Sequence, residues 1–331
     1  MDPIERLLRA LSHQEVDRPP VTALMTAATT EMMDSTGMKW PEAHHDPEKM
    51  AKLAAAAFET CGLESVKLPF DMTGEAGALG AKVDYGTKNT LPQVREHLYR
   101  DPEEIIIGKD FLKQGRVPVI LEAIRLAKRT YGKKIPVVSS IVGPFTLSAM
   151  LVGFENLFYW MLVEPEKYVM ALEMVTNLCI TYTREQFNAG SHIVQIAEAS
   201  SSGDLISSDQ FGRFVAPYQE KLCGAIEGPT VVHICGNITG HLKHIAGTGA
   251  RGISFDQKTD MQEALKQLKG RVALVGYVPT TLLLEGTPDE VFAFSKECIE
   301  MGVDVLNAGC AWPADISNEN VKAMVRAARE A

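Results

Sequence analysis

Short runs of apolar residues alternate with longer amphipathic stretches through the second half of the chain. Five such runs, bounded by glycine, proline or polar residues, cover 192–196, 230–234, 252–255, 272–275 and 303–306. They are short and rich in β-branched residues, which is typical of strands buried on both faces of a parallel sheet. The same criterion predicts three earlier strands at 21–25, 66–70 and 136–141, which brings the predicted total to eight.

One of the amphipathic stretches has recognisable helix ends. Thr287 offers a capping hydroxyl, Pro288 suits the first helical position, and Glu290 can return a hydrogen bond to the cap. Gly302 marks the end of the same stretch. We therefore expect a helix between these two points, separating the last two predicted strands.

Eight strands alternating with helices predict a closed parallel (β/α)8 TIM barrel of the α/β class. The alternative is an open doubly wound sheet, which is typically accompanied by a glycine-rich phosphate-binding turn after the first strand. The first predicted strand, 21–25, supplies no such turn. The barrel is therefore the favoured architecture.

Three segments exceed what a minimal barrel needs. We expect residues 1–20 to form an N-terminal helical layer, residues 74–115 a hairpin-like excursion, and residues 144–165 helical caps over the barrel mouth. We find no internal repeat, low-complexity tract or flexible linker. A single domain covering residues 1–331 is the simplest interpretation.

Composition and charge exclude several classes of partner. The chain of 331 residues carries a formal net charge of −9 and has no run rich in lysine or arginine, which argues against a nucleic-acid partner. Residues 1–30 lack the pattern of a signal peptide, and the most apolar stretch, 157–163, is far shorter than the roughly 20 residues of a membrane span. We expect a cytoplasmic protein whose partners are small molecules or other proteins, with no membrane partner.

The six cysteines are scattered along the chain, without the compact framework that small secreted domains use. Two of them stand near a histidine or at a strand end. His233 and Cys235 are two residues apart at the end of a predicted strand, so their side chains share one face. Cys310 follows the last predicted strand, and the carboxyl ends of all barrel strands meet at one rim.

One imidazole and two thiolates suit Zn²⁺ and leave a fourth position for solvent or substrate. The sequence therefore predicts one catalytic zinc per chain, held by His233, Cys235 and Cys310. Such a zinc is suited to holding an incoming thiol as a thiolate, and so to alkyl transfer onto sulfur better than to hydrolysis. Gly236 and Gly309, each next to a cysteine, would let the backbone bend there. The alternative is that all three ligands are ordinary core residues.

Carboxylates at the same predicted rim are further catalytic candidates. Asp71 follows the second predicted strand, Glu198 the fourth and Asp256 the sixth. Each could serve as a fourth zinc ligand, as a hydrogen-bond partner of the histidine ligand, or as the acceptor of the thiol proton.

The stretch after Cys235 contains the remaining polar candidates. Asn237, with the backbone amides that follow it, is a candidate for binding an anionic group of the substrate. His241 and His244 are about one helical turn apart, and we interpret both as facing solvent.

With these residues the chain resembles the uroporphyrinogen decarboxylase superfamily, and more closely its methylcobamide:coenzyme M methyltransferase branch. The resemblance covers essentially the whole chain and rests on the segments LLRAL at 7–11, VDRPPV at 16–21, GPFT at 143–146, HICGN at 233–237 and NAGC at 307–310. In that branch a His-x-Cys…Cys pattern binds zinc, and its members fall on His233, Cys235 and Cys310.

The resemblance implies a (β/α)8 barrel and a specific reaction. Coenzyme M would bind zinc through its thiol and attack the methyl group of a methylated corrinoid, a methylcobamide carried by a separate protein, giving methyl-coenzyme M in methanogenesis from methylated compounds. Decarboxylases of the superfamily carry an arginine-rich segment after the first strand to hold the porphyrinogen carboxylates. Residues 25–31 contain no arginine here, which argues against that activity.

Three other functions stay open at this point. The acceptor could be another thiol such as homocysteine, the protein could be a lyase acting on a porphyrin precursor, or the barrel could bind a metal or corrinoid without catalysis. The sequence leaves open the methanol, methylamine or methylthiol pathway, the fourth zinc ligand, the residues that bind the sulfonate, and the oligomeric state.

Overall fold

The computed structural model describes residues 1–331 and contains a seven-stranded parallel sheet and a two-stranded antiparallel hairpin. The strands are β1 (Val66–Lys67), β2 (Val83–Asp84), β3 (Gln93–Val94), β4 (Val137–Val142), β5 (Ile193–Ala197), β6 (Thr230–His233), β7 (Gly252–Ser254), β8 (Ala273–Val278) and β9 (Val305–Ala308). The parallel sheet has the order β1-β4-β5-β6-β7-β8-β9, and β2 pairs with β3. Since each strand lies beside the next parallel strand in the chain, the connections must cross back over the sheet, and helices do this.

The helices surround this sheet. The α-helices are Pro3–Ala10, Thr30–Thr36, Pro47–Ala54, Ala56–Cys61, Gly74–Ala78, Val117–Tyr131, Pro144–Val152, Phe154–Leu162, Pro165–Ala189, Ser208–Gln210, Ala216–Gly224, Leu242–Ile245, Met261–Leu268, Thr280–Glu285, Pro288–Met301 and Asn318–Arg329. Short 3-10 helices are Glu42–His44, Pro102–Glu104, Phe111–Lys113 and Thr239–His241, and Phe211–Val215 is a π-helix.

The gap between β9 and β1 is occupied by the segment around Val21. Val21 forms a parallel bridge with Leu306 of β9. On its other side, the Val21 carbonyl accepts a hydrogen bond of 2.9 Å from the Glu64 amide, just before β1. This segment therefore takes the eighth position of the ring, and the predicted barrel class is confirmed.

The predicted strand 21–25 is reduced to that one bridge because side chains take over its backbone hydrogen bonds. The Ala23 amide donates to Ser65 Oγ at 2.9 Å, and the Leu24 amide donates to Asn307 Oδ1 at 3.1 Å. The predicted strand 66–70 is also shorter than expected, since Pro69 has no amide hydrogen to continue the ladder. The other six predicted strands are confirmed, with ends that differ by up to three residues.

The helix Pro3–Ala10 closes the amino-terminal end of the barrel. Asp2 caps it by accepting hydrogen bonds from the amides of Ile4 and Glu5. Leu7 and Leu11 are buried in one apolar cluster with inward-facing strand residues: Val138, Ile193, Val231, Ala273, Val275 and Val305. With one end filled by side chains, the carboxyl ends of the strands are left as the open mouth.

The second of the two helices between β8 and β9, Pro288–Met301, has the predicted ends. Thr287 Oγ1 accepts a hydrogen bond from the Glu290 amide at 3.3 Å, and the Glu290 carboxylate accepts one from the Thr287 amide at 2.8 Å. Gly302 ends the helix at a φ of +102°. The capping box therefore forms, and the helix covers Pro288–Met301.

The segments predicted to lie outside the barrel contain several elements near its mouth. Residues 74–115 include the hairpin β2–β3, and residues 144–165 include the helices Pro144–Val152 and Phe154–Leu162. No single helix is both long enough and apolar enough to cross a membrane, and these last two pass such a test together only as a pair bent by 113°. The division of the chain into one domain with insertions stays a prediction.

Candidate metal centre at the barrel mouth

His233, Cys235 and Cys310 meet at the carboxyl-terminal end of the sheet. His233 is the last residue of β6, Cys235 follows two residues later, and Cys310 lies two residues beyond β9. Their candidate ligand atoms all lie within 4.8 Å of one another, and His233 Nε2 is 3.8 Å from Cys310 Sγ. His233 is fully buried, while both cysteines are partly exposed. The three residues that the sequence predicted as ligands therefore form one cluster that is accessible from the mouth.

The imidazole of His233 is held in place by a neighbouring strand. His233 pairs with Ser254 of β7, and the Ser254 hydroxyl oxygen lies 3.0 Å from His233 Nδ1. Both residues are fully buried. A partner on Nδ1 fixes the ring and leaves Nε2 turned toward the thiols, as metal-binding histidines require. Sequence reasoning did not find Ser254.

The two thiols share their protons unequally. A hydrogen bond from the Cys310 thiol lowers the pKa of Cys235 to about 4, with help from His233 and against the effect of burial. The same interaction, together with burial, raises the pKa of Cys310 far above its usual value. The cluster alone therefore stabilises one thiolate and opposes a second. Two thiolates at this spacing need a cation between them, which is the charge pattern of a soft metal site.

The backbone turns sharply between Cys235 and the next helix. Gly236 has a φ of +83°, and a Cβ at this position would lie 2.6 Å from Asp204 Oδ2 and 2.9 Å from Ser202 Oγ. On the other side of the cluster, a Cβ at Gly309 would lie 3.0 Å from the Asp256 backbone. Both glycines beside the cysteines thus permit close approaches that a side chain would block.

Asp256 is the predicted carboxylate that lies beside the cluster. Its Oδ2 accepts a hydrogen bond of 2.7 Å from the Gly236 amide, and its Oδ1 accepts one of 2.9 Å from the Lys258 amide. Its charge is one of the causes that raise the pKa of Cys310. The carboxylate therefore both fixes the turn after Cys235 and places negative charge near the thiols.

Asp71 is engaged elsewhere. Its carboxylate accepts two hydrogen bonds from the Arg116 guanidinium, at 2.9 and 2.6 Å, and lies 3.3 Å from His44 Nδ1. Burial alone would raise the pKa of Asp71, but Arg116 and His44 lower it well below its usual value. Asp71 is thus a buried carboxylate paired with arginine, on the wall of the barrel mouth and outside the cluster.

Glu198 also lies outside the cluster. It follows β5, on the opposite face of the strand from Ile193, which points into the barrel. Its carboxylate accepts hydrogen bonds from the amides of Phe145 and Thr146, at 3.1 and 3.0 Å, and from the Thr146 hydroxyl. Burial raises its pKa to about 7 even though these bonds act in the other direction. The structure gives Glu198 a capping role at the helix Pro144–Val152.

The residues after Gly236 differ from the interpretation based on sequence. Asn237 is exposed, and its Oδ1 accepts a hydrogen bond of 2.9 Å from the Thr239 amide, so its substrate-binding role stays a prediction. His241 is not solvent-facing but buried, because Phe211 of the neighbouring π-helix stacks on its ring with a centroid distance of 4.5 Å. His244 is half-buried beside the same phenylalanine. The solvent-facing interpretation of His241 was wrong.

A pocket of about 470 Å³ opens next to the cluster at the barrel mouth. Ala311, the neighbour of Cys310, lines it together with Phe70, Asp71, Met150 and Phe154. The lining is mainly apolar and includes residues of the hairpin β2–β3, but no arginine or lysine. The pocket therefore suits an uncharged or apolar group better than a polyanion.

A parallel barrel with a histidine and two cysteines clustered at its mouth has the features of a barrel enzyme with a candidate metal site. Residues 2–331 match the family model of uroporphyrinogen decarboxylase (URO-D), and the chain belongs to this family.

Relatives and a solved structure agree along nearly the whole chain. The chain is 35% identical over 328 residues to "Methylcobamide:CoM methyltransferase MtaA" of Methanosarcina barkeri, which covers 98% of this chain and 97% of the relative. It is 36% identical to MtbA of Methanosarcina acetivorans, covering 99% and 97%. A solved "methyltransferase from Methanosarcina mazei" superposes with a TM-score of 0.97 at 36% identity, covering 100% and 99%.

Proposed function

We propose that this protein transfers a methyl group from a methylated cobamide, carried by a separate corrinoid protein, to the thiol of coenzyme M, giving methyl-coenzyme M in methanogenesis from methylated compounds. The observation that carries the proposal is the cluster of His233, Cys235 and Cys310 at the mouth, in a chain more than a third identical to named methylcobamide:CoM methyltransferases. The single domain of residues 1–331 and a cytoplasmic location stay predictions.

The donor set fits one zinc ion per chain. One imidazole nitrogen and two sulfurs within 4.8 Å of one another form a borderline-soft set of three, and three protein ligands leave a position for a substrate. The neighbouring Cys235 sulfur and burial raise the pKa of Cys310, so a bound cation would be needed to hold both sulfurs as thiolates. When bound, zinc would lower the pKa of the acceptor thiol so that the sulfur is a thiolate near neutral pH.

Residues of this chain fix the positions of the ligand side chains and accept the proton of the acceptor thiol. Ser254 fixes the ring of His233, and Gly236 with Asp256 fixes the position of Cys235. We propose that Asp256 accepts the proton of the acceptor thiol, since it contacts Gly236 and Gly309, the neighbours of the two cysteines. The mainly apolar lining of the pocket at Ala311 would limit the number of water molecules around the methyl donor.

The methyl transfer needs no external oxidant or reductant. The thiolate sulfur supplies the electron pair of the new carbon–sulfur bond. The cobalt–carbon bond breaks, and its electron pair remains on the cobalt of the corrinoid. The thiol proton passes first to Asp256 and then to solvent.

Because the chain belongs to the URO-D family, decarboxylation of a porphyrinogen is the competing activity. That substrate carries several carboxylates and would need several guanidinium or ammonium groups in the pocket. The mouth pocket offers none, and its arginine neighbour, Arg116, is already paired with Asp71. The lack of arginine and lysine in the pocket therefore favours methyl transfer over decarboxylation.

The experiment is a methyl-transfer assay with free methylcobalamin and a panel of thiols, run beside a decarboxylation assay with uroporphyrinogen. We expect methyl-coenzyme M to form faster than methylated homocysteine or methylated 2-mercaptoethanol, and no decarboxylation. Preference for homocysteine would replace the acceptor in the proposal, and porphyrinogen turnover without methyl transfer would overturn the proposal.

A further inference from the structure

Exposed hydrophobic side chains are concentrated in one part of the surface. Of the ten large hydrophobic residues that the structure leaves exposed, six lie between residues 154 and 170. These six define the 154–170 apolar surface: Phe154, Tyr159, Leu162, Val163, Val169 and Met170. Leu162 is 65% exposed and Val163 59%, which is unusual for adjacent apolar residues without a partner.

The 154–170 apolar surface lies at the same end of the barrel as the metal centre. The helix Pro165–Ala189 leads into the amino end of β5, so its first two turns, which include Val169 and Met170, lie toward the carboxyl ends of the strands. The helix Phe154–Leu162 packs against it and precedes it in the chain. On the shorter helix, Tyr159 and Leu162 are three residues apart and therefore share a face.

The surface reaches the pocket beside the cluster at Phe154. Phe154 belongs to the surface and also lines the pocket that contains Ala311. Phe154 packs on Phe158, and Phe158 packs on the buried Phe145, so the edge of the pocket is anchored to the core. Any protein that inserts a group into this pocket must come close to the apolar residues that begin at Phe154.

We propose that the 154–170 apolar surface docks the protein that carries the methylated corrinoid. The inference rests on the proposed function, because the carrier of the methylated corrinoid is the partner that this function implies. A cofactor held by a carrier protein has to reach the mouth with the carrier attached, and an apolar patch next to the pocket supplies the contact area. A second copy of this chain seated on the same surface would cover the edge of the pocket at Phe154 and obstruct the donor.

The test compares two methyl donors in variants with one added charge. Leu162→Glu places a carboxylate in the centre of the surface. Leu284→Glu is the matched control, since Leu284 is an exposed leucine on the helix after β8, four positions around the ring from β4. The donors are free methylcobalamin and the methylated corrinoid protein that serves the Methanosarcina barkeri relative, with coenzyme M as acceptor in both cases.

We expect Leu162→Glu to raise the KM for the corrinoid protein by about tenfold or more, the effect of burying a charge in an interface, and to change kcat/KM for free methylcobalamin by less than about twofold. Leu284→Glu should change neither value. The inference is overturned if Leu162→Glu leaves the KM for the corrinoid protein unchanged, if both donors are affected equally, or if wild-type protein uses only the free donor. Conversion of a wild-type dimer into a monomer by Leu162→Glu, with unchanged donor kinetics, would also overturn it.

These outcomes separate the two proposals. If wild-type protein fails to methylate coenzyme M even from free methylcobalamin, the proposed function itself fails. If it uses free methylcobalamin but the docking variant behaves as wild type, only the docking inference fails.

Discussion

The Nδ1 atom of His233 lies 3.0 Å from the hydroxyl oxygen of Ser254, and both residues are fully buried. Because this contact fixes the orientation of the ring, we expect Ser254→Ala to weaken zinc binding by about tenfold or more. The measurement is a competition titration with a chromogenic chelator. Ser295→Ala is the control, since the Ser295 hydroxyl is buried without a hydrogen-bond partner. Equal zinc affinity in the two variants would show that the Ser254 contact is unimportant.

Asp256 offers a test of the proton-accepting role. Asp256→Asn keeps one oxygen that can accept the hydrogen bond from the Gly236 amide, but it loses the hydrogen bond from the Lys258 amide and the negative charge beside Cys310. We expect kcat for transfer from methylcobalamin to fall by about 10² or more, with zinc content retained. Loss of zinc in this variant would instead assign Asp256 as a metal ligand, and unchanged kcat would remove it from the mechanism.

The turn at Gly236 is expected to be sensitive to a single methyl group. Gly236→Ala would combine a φ of +83° with a contact of 2.6 Å to Asp204 Oδ2, so we expect the free energy of unfolding to fall by roughly 1–3 kcal/mol. Gly224→Ala is the matched control, because a Cβ at the end of the helix Ala216–Gly224 meets nothing within 4 Å. Denaturant unfolding measures both. Equal stability of the two variants would contradict the strain argument.

Glu198 predicts a pH dependence of stability. Burial raises its pKa from 4.5 to about 7, so the native state favours the protonated carboxyl. The stability that the native state gains from protonated Glu198 is fully present below the pKa of this residue in the unfolded chain, 4.5. It is lost as the pH rises through about 7, the pKa in the folded protein. Between these two pH values, the free energy of unfolding of the wild type should fall by roughly 1.4 kcal/mol per pH unit relative to that of Glu198→Gln. Glu300→Gln, at an exposed site, is the control. A stability difference between wild type and Glu198→Gln that does not vary with pH would refute this explanation.

The sequence predicted the ligand cluster because its geometry follows from periodicity. Alternation along the predicted strand put His233 and Cys235 on one face, and they do lie together although β6 ends at His233. Parallel strands end at one rim, which brings Cys310 to them. The capping box at Thr287 was predictable for the same reason, since it depends on neighbours in sequence.

The features that sequence reasoning missed depend on contacts between distant segments. Pairing between β6 and β7 sets Ser254 against His233, and nothing local to either residue indicates it. Glu198 caps a helix that precedes it by about 50 residues, and Phe211 of a π-helix covers His241. In the first predicted strand, side chains accept the backbone hydrogen bonds that a neighbouring strand would otherwise accept. The periodicity of apolar residues does not indicate this.

The zinc content of the purified protein tests the central claim most directly. Cys61→Ser is the matched control for Cys310→Ser, because the Cys61 thiol contacts Thr60 and the Asn318 carbonyl, away from the cluster. We predict about one zinc per chain in wild type and in Cys61→Ser, and almost none in folded Cys310→Ser. Stoichiometric zinc in Cys310→Ser would contradict the assignment of the metal centre.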